Sequence, residues 1–334
     1  MKRLDRHIWI ALSATMAALI FLLTCQHTWT IVDPGNWVIK LKTHPKFPYP
    51  PIPADNLPTA NRIALGKKLF FDPILSRDST ISCGTCHNES KAFSDGLPKS
   101  KGIAGQTALR NAPSLINCAY LPNTMRDGGV PTLEQQVLAP ISNPLEMGAD
   151  VNNVVARLVA HPEYPALFRH AYGKPPSVYT LTRAIACYER TLLGTYSRYD
   201  RYLYDHDASA LTPSERRGLL LFFGERGECF HCHGEYTFTD NSFKNIGLYL
   251  NYPDSGRARI TLKAEDVGKF RVPSLRNVAR TAPYMHDGSL PTLEAVIEHY
   301  NSGGKAHSNK SGLLKPMHLT PEEKLDLVAF LKSL

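Results

Sequence analysis

This sequence predicts a mainly α protein made of two related domains in tandem, joined and decorated by long ordered loops. Three observations carry that prediction. Apolar residues recur near every 3.6 positions in seven segments: Asn61 to Phe70, Leu133 to Leu138, Val151 to Val159, Leu181 to Leu192, Pro213 to Phe223, Leu293 to Tyr300 and Pro321 to Leu331. No run of useful length alternates apolar and polar residues as a half-buried strand would. Finally, Pro113 to Glu134 (PSLINCAYLPNTMRDGGVPTLE) and Pro273 to Glu294 (PSLRNVARTAPYMHDGSLPTLE) align without a gap at an offset of 160, with 12 of 22 positions identical. A repeat of that length is a duplicated structural unit. The loops follow from 25 prolines, which pin φ and interrupt regular elements. Thr212-Pro213 and Thr320-Pro321 read as helix starts, with proline in the first turn.

Taken from the N-terminus, the first element is a targeting segment. Lys2, Arg3 and Arg6 precede an apolar run from Ile8 to Thr24, slightly short for a spanning helix and suited to an export signal. Residues 1–25 are expected to be a cleaved signal or a membrane anchor, with a periplasmic location either way. Leu22-Leu23-Thr24-Cys25 resembles a lipoprotein cleavage box imperfectly, because threonine directly before the cysteine is unusual there. Residues 26–54 are expected to be a linker, 55–200 the N-terminal domain and 201–334 the C-terminal domain. The net charge of +8 is scattered over the chain rather than gathered on a basic helix or an aromatic-basic module. That distribution argues against nucleic acid and for mild steering toward acidic partners.

The cysteines define the chemistry. Four of the seven fall into Cys83-Gly84-Thr85-Cys86-His87 and Cys229-Phe230-His231-Cys232-His233. Two thiols three positions apart on a helical turn both reach the vinyl groups of a haem, and the following histidine stands under the iron as axial ligand. A four-cysteine zinc site and a redox dithiol are the alternatives for such pairs. Two copies, each followed directly by histidine in an exported chain, point instead to two covalently bound haems c. Cys118 and Cys187 either pair or stand as buried thiols.

The repeat sets the two irons apart. Extending the 160-residue offset aligns Tyr300 with Pro140. The C-terminal half therefore offers Tyr300, with His299 beside it, where the N-terminal half has a residue that cannot coordinate. No histidine occurs from residue 88 to residue 160, which leaves Met125 and Met147 as the possible second ligands to the first iron. The first haem is expected to keep an open sixth position, where peroxide binds, and the second to be six-coordinate and to pass electrons. Tyr300 packing its ring on the haem edge, or His299 as ligand, are the alternatives at the second site.

At FDPILSRDSTISCGTCH, RNAPSL, PTLEQQVLAPISNPLEMG, KFRVPSLRNVARTAPYMHDGSLPTLE and HYNSGG the chain resembles the bacterial di-haem cytochrome c peroxidases and their relative MauG, over roughly residues 55 to 334. The resemblance implies that His87 and His233 are the proximal ligands. It makes Gln136 and Glu146 the distal polar pair beside the peroxidatic haem, the carboxylate shuttling a proton between the peroxide oxygens. It also implies a calcium ion between the domains, held by Asn111, Thr281 and Pro283, and family members are often homodimers.

Departures from the family pattern cut both ways. Tyr300 stands where the peroxidases usually carry methionine, as it does in MauG, and a harder oxygen ligand favours higher iron oxidation states. The labile histidine that closes the first haem of many resting peroxidases has no counterpart. Arg126 replaces the tryptophan usually found between the haems, and Gly227 and Glu228 stand where MauG has a tryptophan facing its protein substrate. Tyr120 or Tyr284 are left as substitutes. The expected function is a periplasmic peroxidase reducing hydrogen peroxide with electrons from a small cytochrome c or cupredoxin. A MauG-like enzyme oxidising side chains of a partner protein and a non-enzymatic di-haem electron carrier are the alternatives.

Overall fold

The computed structural model describes residues 34–334, so the expected signal or anchor lies outside the described residues. Among the described residues no helix is long and apolar enough to cross a membrane. The described residues are mainly helical, and the one sheet among them is a two-residue antiparallel pair, β1 (Phe243–Lys244) with β2 (Phe270–Arg271).

Each half is built around one close helix crossing. In the N-terminal half, α1 (Ala60–Phe71) crosses α7 (Val178–Glu189); in the C-terminal half, α9 (Pro213–Phe223) crosses α13 (Pro321–Leu331). Both crossings run over a glycine. A Cβ on Gly66 would collide with the carbonyl oxygen of Ala184, and one on Gly218 with that of Asp326. Only glycine lets the backbones approach this closely. The starts of α9 and α13 are capping boxes. Thr212 Oγ1 accepts from Glu215 N and Glu215 Oε2 from Thr212 N, and Thr320 and Glu323 repeat the pattern.

Between the paired helices lie α2 (Cys83–Cys86), α3 (Leu133–Gln136), α4 (Leu138–Ser142), α5 (Val151–Ala160) and α6 (Tyr164–Tyr172) in the first half. α8 (Arg198–Tyr204) leads into the second half, which adds α10 (Phe230–His233), α11 (Ala258–Thr261) and α12 (Leu293–Asn301). All seven expected segments are helical, the one at 133–138 continuing as two short helices and the one at 181–192 starting and ending three residues earlier. Apart from the single turns at the two cysteine motifs, three helices escaped the periodicity, α6, α8 and α11, all short. Among the described residues two large apolar cores result, with a small third cluster of Cys118, Leu133 and Ala186. One runs from Leu65 to Leu192 around Leu69, Phe70, Tyr164, Phe168 and Ile185, the other from Tyr199 to Leu334 around Phe222, Phe238, Leu327 and Phe330.

The repeat persists bond by bond. Ser114 Oγ donates to Ala92 O and Ser274 Oγ to Thr237 O; Asn117 N donates to Leu192 O and Asn277 N to Leu334 O. The halves also meet through a related pair of bonds: Asn111 N donates to His286 O and Arg271 N to Arg126 O, each at 2.8 Å. The 160-residue offset turns Asn111 into Arg271 and Arg126 into His286, so these two bonds are images of each other. Ion pairs reinforce the seam, with Arg110 on Asp254 at 2.5 Å and Arg259 on Asp127 at 2.6 Å.

The expected linker is a packed strap over its described part. His44 N donates to Thr195 Oγ1 (3.0 Å), Tyr196 Oη to Thr43 O (3.1 Å) and Tyr120 Oη to Pro48 O (2.9 Å), while Phe47 is buried against Tyr204 and Tyr236. Pro45, Pro48, Pro50, Pro51 and Pro53 hold it extended, which lowers the entropy lost when it docks.

Candidate haem sites

α2 and α10 are single turns that carry the two thiols of each motif and hand on to His87 and His233. His87 Nδ1 donates to Phe93 O at 2.9 Å and His233 Nδ1 to Phe238 O at 3.0 Å. That bond fixes the tautomer and leaves Nε2 as the nitrogen with a lone pair able to bind a metal. Both accepting phenylalanines sit in the left-handed region, with φ of 58° and 55°. Such a conformation is costly for a bulky residue, and it recurs at the same place in both halves. Burial lowers the pKa of both imidazoles, against the opposing pull of these carbonyls, and so favours the neutral, metal-binding form. Paired thiols followed by a half-buried, oriented, neutral imidazole fit a haem c in each half. None of these four cysteines is in a disulfide, and Cys118 and Cys187 are free buried thiols as well.

In the N-terminal half the motif opens onto a cavity with about 610 Å3 of empty space, partly open to solvent, whose lining includes Cys83, Cys86, His87, Gln136, Pro140 and Glu146. The structure thus brings the expected distal pair to the same chamber as the proximal histidine, and Pro140 with them. Asn143 Nδ2 donates to Glu146 Oε1 at 2.8 Å. Burial raises the Glu146 pKa, and this hydrogen bond only partly opposes it. Met147 lines the cavity while packed into the N-terminal core; Met125 is not part of the lining.

One cavity residue was missed. Glu189, at the end of α7, lines the same chamber, is 5% exposed, and has one carboxylate oxygen without a hydrogen-bond partner. Burial pushes its pKa up to about 8, despite the neighbouring Arg190. The available signal was position: a glutamate within a helix whose residues from Thr180 onward are almost all buried. Arg190 pairs instead with Glu134, Nη1 to Oε1 at 2.7 Å, which joins α7 to α3.

In the C-terminal half Tyr300 lies half-buried on α12, with its phenol near Cys229 and Cys232. Burial, with the neighbouring thiols, raises its pKa well above the ordinary value. His299, the rival ligand, is tied down elsewhere: its Nε2 bonds Ile246 O at 3.0 Å. Adjacent helical residues point about 100° apart, so the two side chains do not serve one metal.

The expected calcium set does not fit that ion. Asn111 Oδ1 accepts from Arg126 Nη2 at 2.6 Å and Asn111 O from Arg126 Nε at 3.2 Å. A guanidinium therefore occupies the oxygens that the cation would need, while Thr281 turns its hydroxyl to Val278 O. Tyr120 and Tyr284 are held by the Pro48 and Val278 carbonyls, at 2.9 and 3.0 Å.

Comparison with known proteins agrees with this geometry. A family model described as di-haem cytochrome c peroxidase matches residues 60–208. The methylamine utilization protein MauG of Methylorubrum extorquens is 41% identical over 288 residues, 85% of this chain and 81% of that protein. The cytochrome c551 peroxidase of Nitrosomonas europaea is 34% identical over 293 residues, 86% of this chain and 84% of that protein. Among solved structures, a MauG-like protein associated with microbial copper homeostasis superposes with a TM-score of 0.83 at 39% identity, covering 89% of this chain and 95% of that one. With paired thiols and oriented histidines in both halves, and relatives that match over most of their length, this chain belongs to the di-haem cytochrome c peroxidase family, in which the MauG proteins are included.

Proposed function

We propose that the peroxide chemistry of this oxidoreductase takes place in the N-terminal cavity, and that the C-terminal half relays electrons to it. The observation that carries the reading is the pair Pro140 and Tyr300. At one repeat position the first cavity is lined by a residue with no ligand atom, while the second site is faced by a phenol.

Cys83, Cys86 and His87 would hold one haem c, and Cys229, Cys232, His233 and Tyr300 would hold the other. Bound in the first cavity, the group supplies an iron with an accessible coordination site and the capacity to take up oxidising equivalents. The protein's own residues handle the proton. Glu146, positioned by Asn143 and raised in pKa by burial, accepts the proton from one peroxide oxygen and returns it to the other, which turns a poor leaving group into water. Gln136 offers an amide to orient the substrate. Hydrogen peroxide and a small periplasmic electron donor, a cytochrome c or a cupredoxin, are the reactants of this reading.

Tyr300 is the specific observation that favours the second reading, oxidation of a partner protein. The residues at the tryptophan positions work against it, since Arg126, Gly227 and Glu228 offer no ring to carry a hole. Rapid oxidation of a reduced small cytochrome by peroxide supports the peroxidase; negligible turnover with covalent change in a partner protein supports the modification enzyme. Electron paramagnetic resonance of the oxidised holoprotein is expected to show one high-spin and one low-spin centre. Two low-spin centres inert to peroxide would leave only an electron carrier. Tyr300→Phe is expected to change the spectrum of the low-spin centre alone, and no change at either centre removes the axial assignment.

A further inference from the structure

The seam between the two halves carries a charge that belongs to the chain itself. Asn111 is 5% exposed and fully committed: its backbone N donates to His286 O (2.8 Å), Nδ2 donates to Leu97 O (2.8 Å), and its two oxygens accept from Arg126. The Arg126 carbonyl in turn accepts from Arg271 N, across the seam. Arg126 is therefore fixed at both ends of the residue, and its guanidinium points to an asparagine whose backbone bridges the halves.

We propose that the Arg126 guanidinium replaces an inorganic cation between the two halves, so that this protein assembles its di-haem framework without calcium. Three physical points support it. Calcium needs six to eight oxygens at 2.3–2.6 Å, and Asn111 cannot give Oδ1 to a metal while it accepts a charged donor. A divalent ion beside this half-buried guanidinium would face direct repulsion, added to that of Arg110 nearby, against the opposing pull of Asp287. The repeat also isolates the substitution. The image of Arg126 is His286, stacked on Phe270 at 3.9 Å and 15°, so one half meets the seam with a fixed cation and the other with a stacked ring. Although burial pulls the Arg126 pKa down to about 10, the group keeps its charge at neutral pH. The inference concerns the seam alone and holds whichever substrate the first cavity takes.

The test uses the holoprotein with both haems attached. Metal content after dialysis is read by mass spectrometry, and the thermal unfolding midpoint is measured alone, with excess EGTA and with added calcium chloride. No stoichiometric calcium and a midpoint unmoved by either addition are expected. Arg126→Gln is expected to lower the midpoint by several degrees, and Arg126→Lys, which keeps the charge, to recover part of that loss. One equivalent of calcium in the native chain, or a midpoint that EGTA lowers, overturns the proposal independently of how the variants fold. An Arg126→Gln protein as stable as the parent overturns it too.

Discussion

The two halves share a proximal side almost atom for atom and differ on the distal side. His87 and His233 donate to carbonyls of left-handed phenylalanines at 2.9 and 3.0 Å, whereas the residues facing them across the repeat are Pro140 and Tyr300. The lesson is where divergence is tolerated. The proximal side is tied into the helix crossing and the core, so a change there disturbs the fold. Pro140 and Tyr300 each stand on a short helix, so one substitution there changes the chemistry and leaves the scaffold alone.

The strongest test of that division is Glu146→Gln, which has no counterpart to disturb in the second half. Peroxide turnover is expected to fall about 10^2- to 10^4-fold with both haem spectra retained. The pH profile sharpens it. Glu146 must be ionised to accept the peroxide proton, and burial holds its pKa above the ordinary carboxylate value. Activity therefore falls as pH drops through that raised value, at higher pH than for an exposed glutamate. The acid limb should vanish in the variant; a loss of less than tenfold with the limb intact would remove Glu146 from the proton path.

Next in size is a feature found in one half only. Arg276 takes the place that Ile116 fills in the first half and forms a buried ion pair with Asp200 at 2.5 Å, both side chains 1% exposed. It also donates to Tyr236 O through Nε and Nη2. Arg276→Met leaves Asp200 buried without its partner, and a loss of about 3–5 kcal/mol in denaturant unfolding is expected. Because the pair lies in the second core, a chain whose halves unfold separately would lose the second transition first. A single shifted transition would show that the seam makes the halves one cooperative unit.

The helix crossings offer a matched pair of smaller perturbations. Gly66→Ala and Gly218→Ala each drive a methyl into a backbone carbonyl of the partner helix, and each is expected to cost about 1–3 kcal/mol. Equal losses, read from thermal or denaturant midpoints, would show that the duplicated crossings remain energetically equivalent. Unequal losses would show that one half has room to relax.

Much of this architecture was legible because it rests on local rules. Pro213 and Pro321 with their threonine caps marked α9 and α13 to the residue, and the haem motifs and the repeat were visible by inspection. Tyr300 was found through the repeat and Glu146 through resemblance. What escaped depended on tertiary placement. α6 and α8 are only 9 and 7 residues long, too short for a firm period, although Pro165 and Ser197 mark their starts. The proline strap resembled a linker because its partners, Thr195, Tyr196 and Tyr236, lie more than 140 residues away. Arg126 was seen as a lost tryptophan, and its bonds to Asn111 became visible only in three dimensions.

Glu189 was the other residue that composition could not single out, and its expected effect is a slope with pH rather than a fixed level. Its folded pKa is raised to about 8 by burial, from the model-compound 4.5. Below pH 4.5 the group is protonated folded or unfolded and contributes nothing to the pH dependence. As pH rises from 4.5 to about 8 the unfolded chain sheds the proton while the folded chain keeps it, so stability declines, by no more than about 1.4 kcal/mol per pH unit. Above 8 both forms are ionised and the decline stops. Glu189→Gln keeps the shape and removes the titration, so the stability gained by the variant should be near zero at pH 4 and grow toward pH 8. The second half has Leu331 at the corresponding place in its helix crossing, and no such term arises there. A gain that is flat across this range would mean that the Glu189 carboxyl stays ionised in the folded protein, and that Arg190 outweighs burial at the wall of the first cavity.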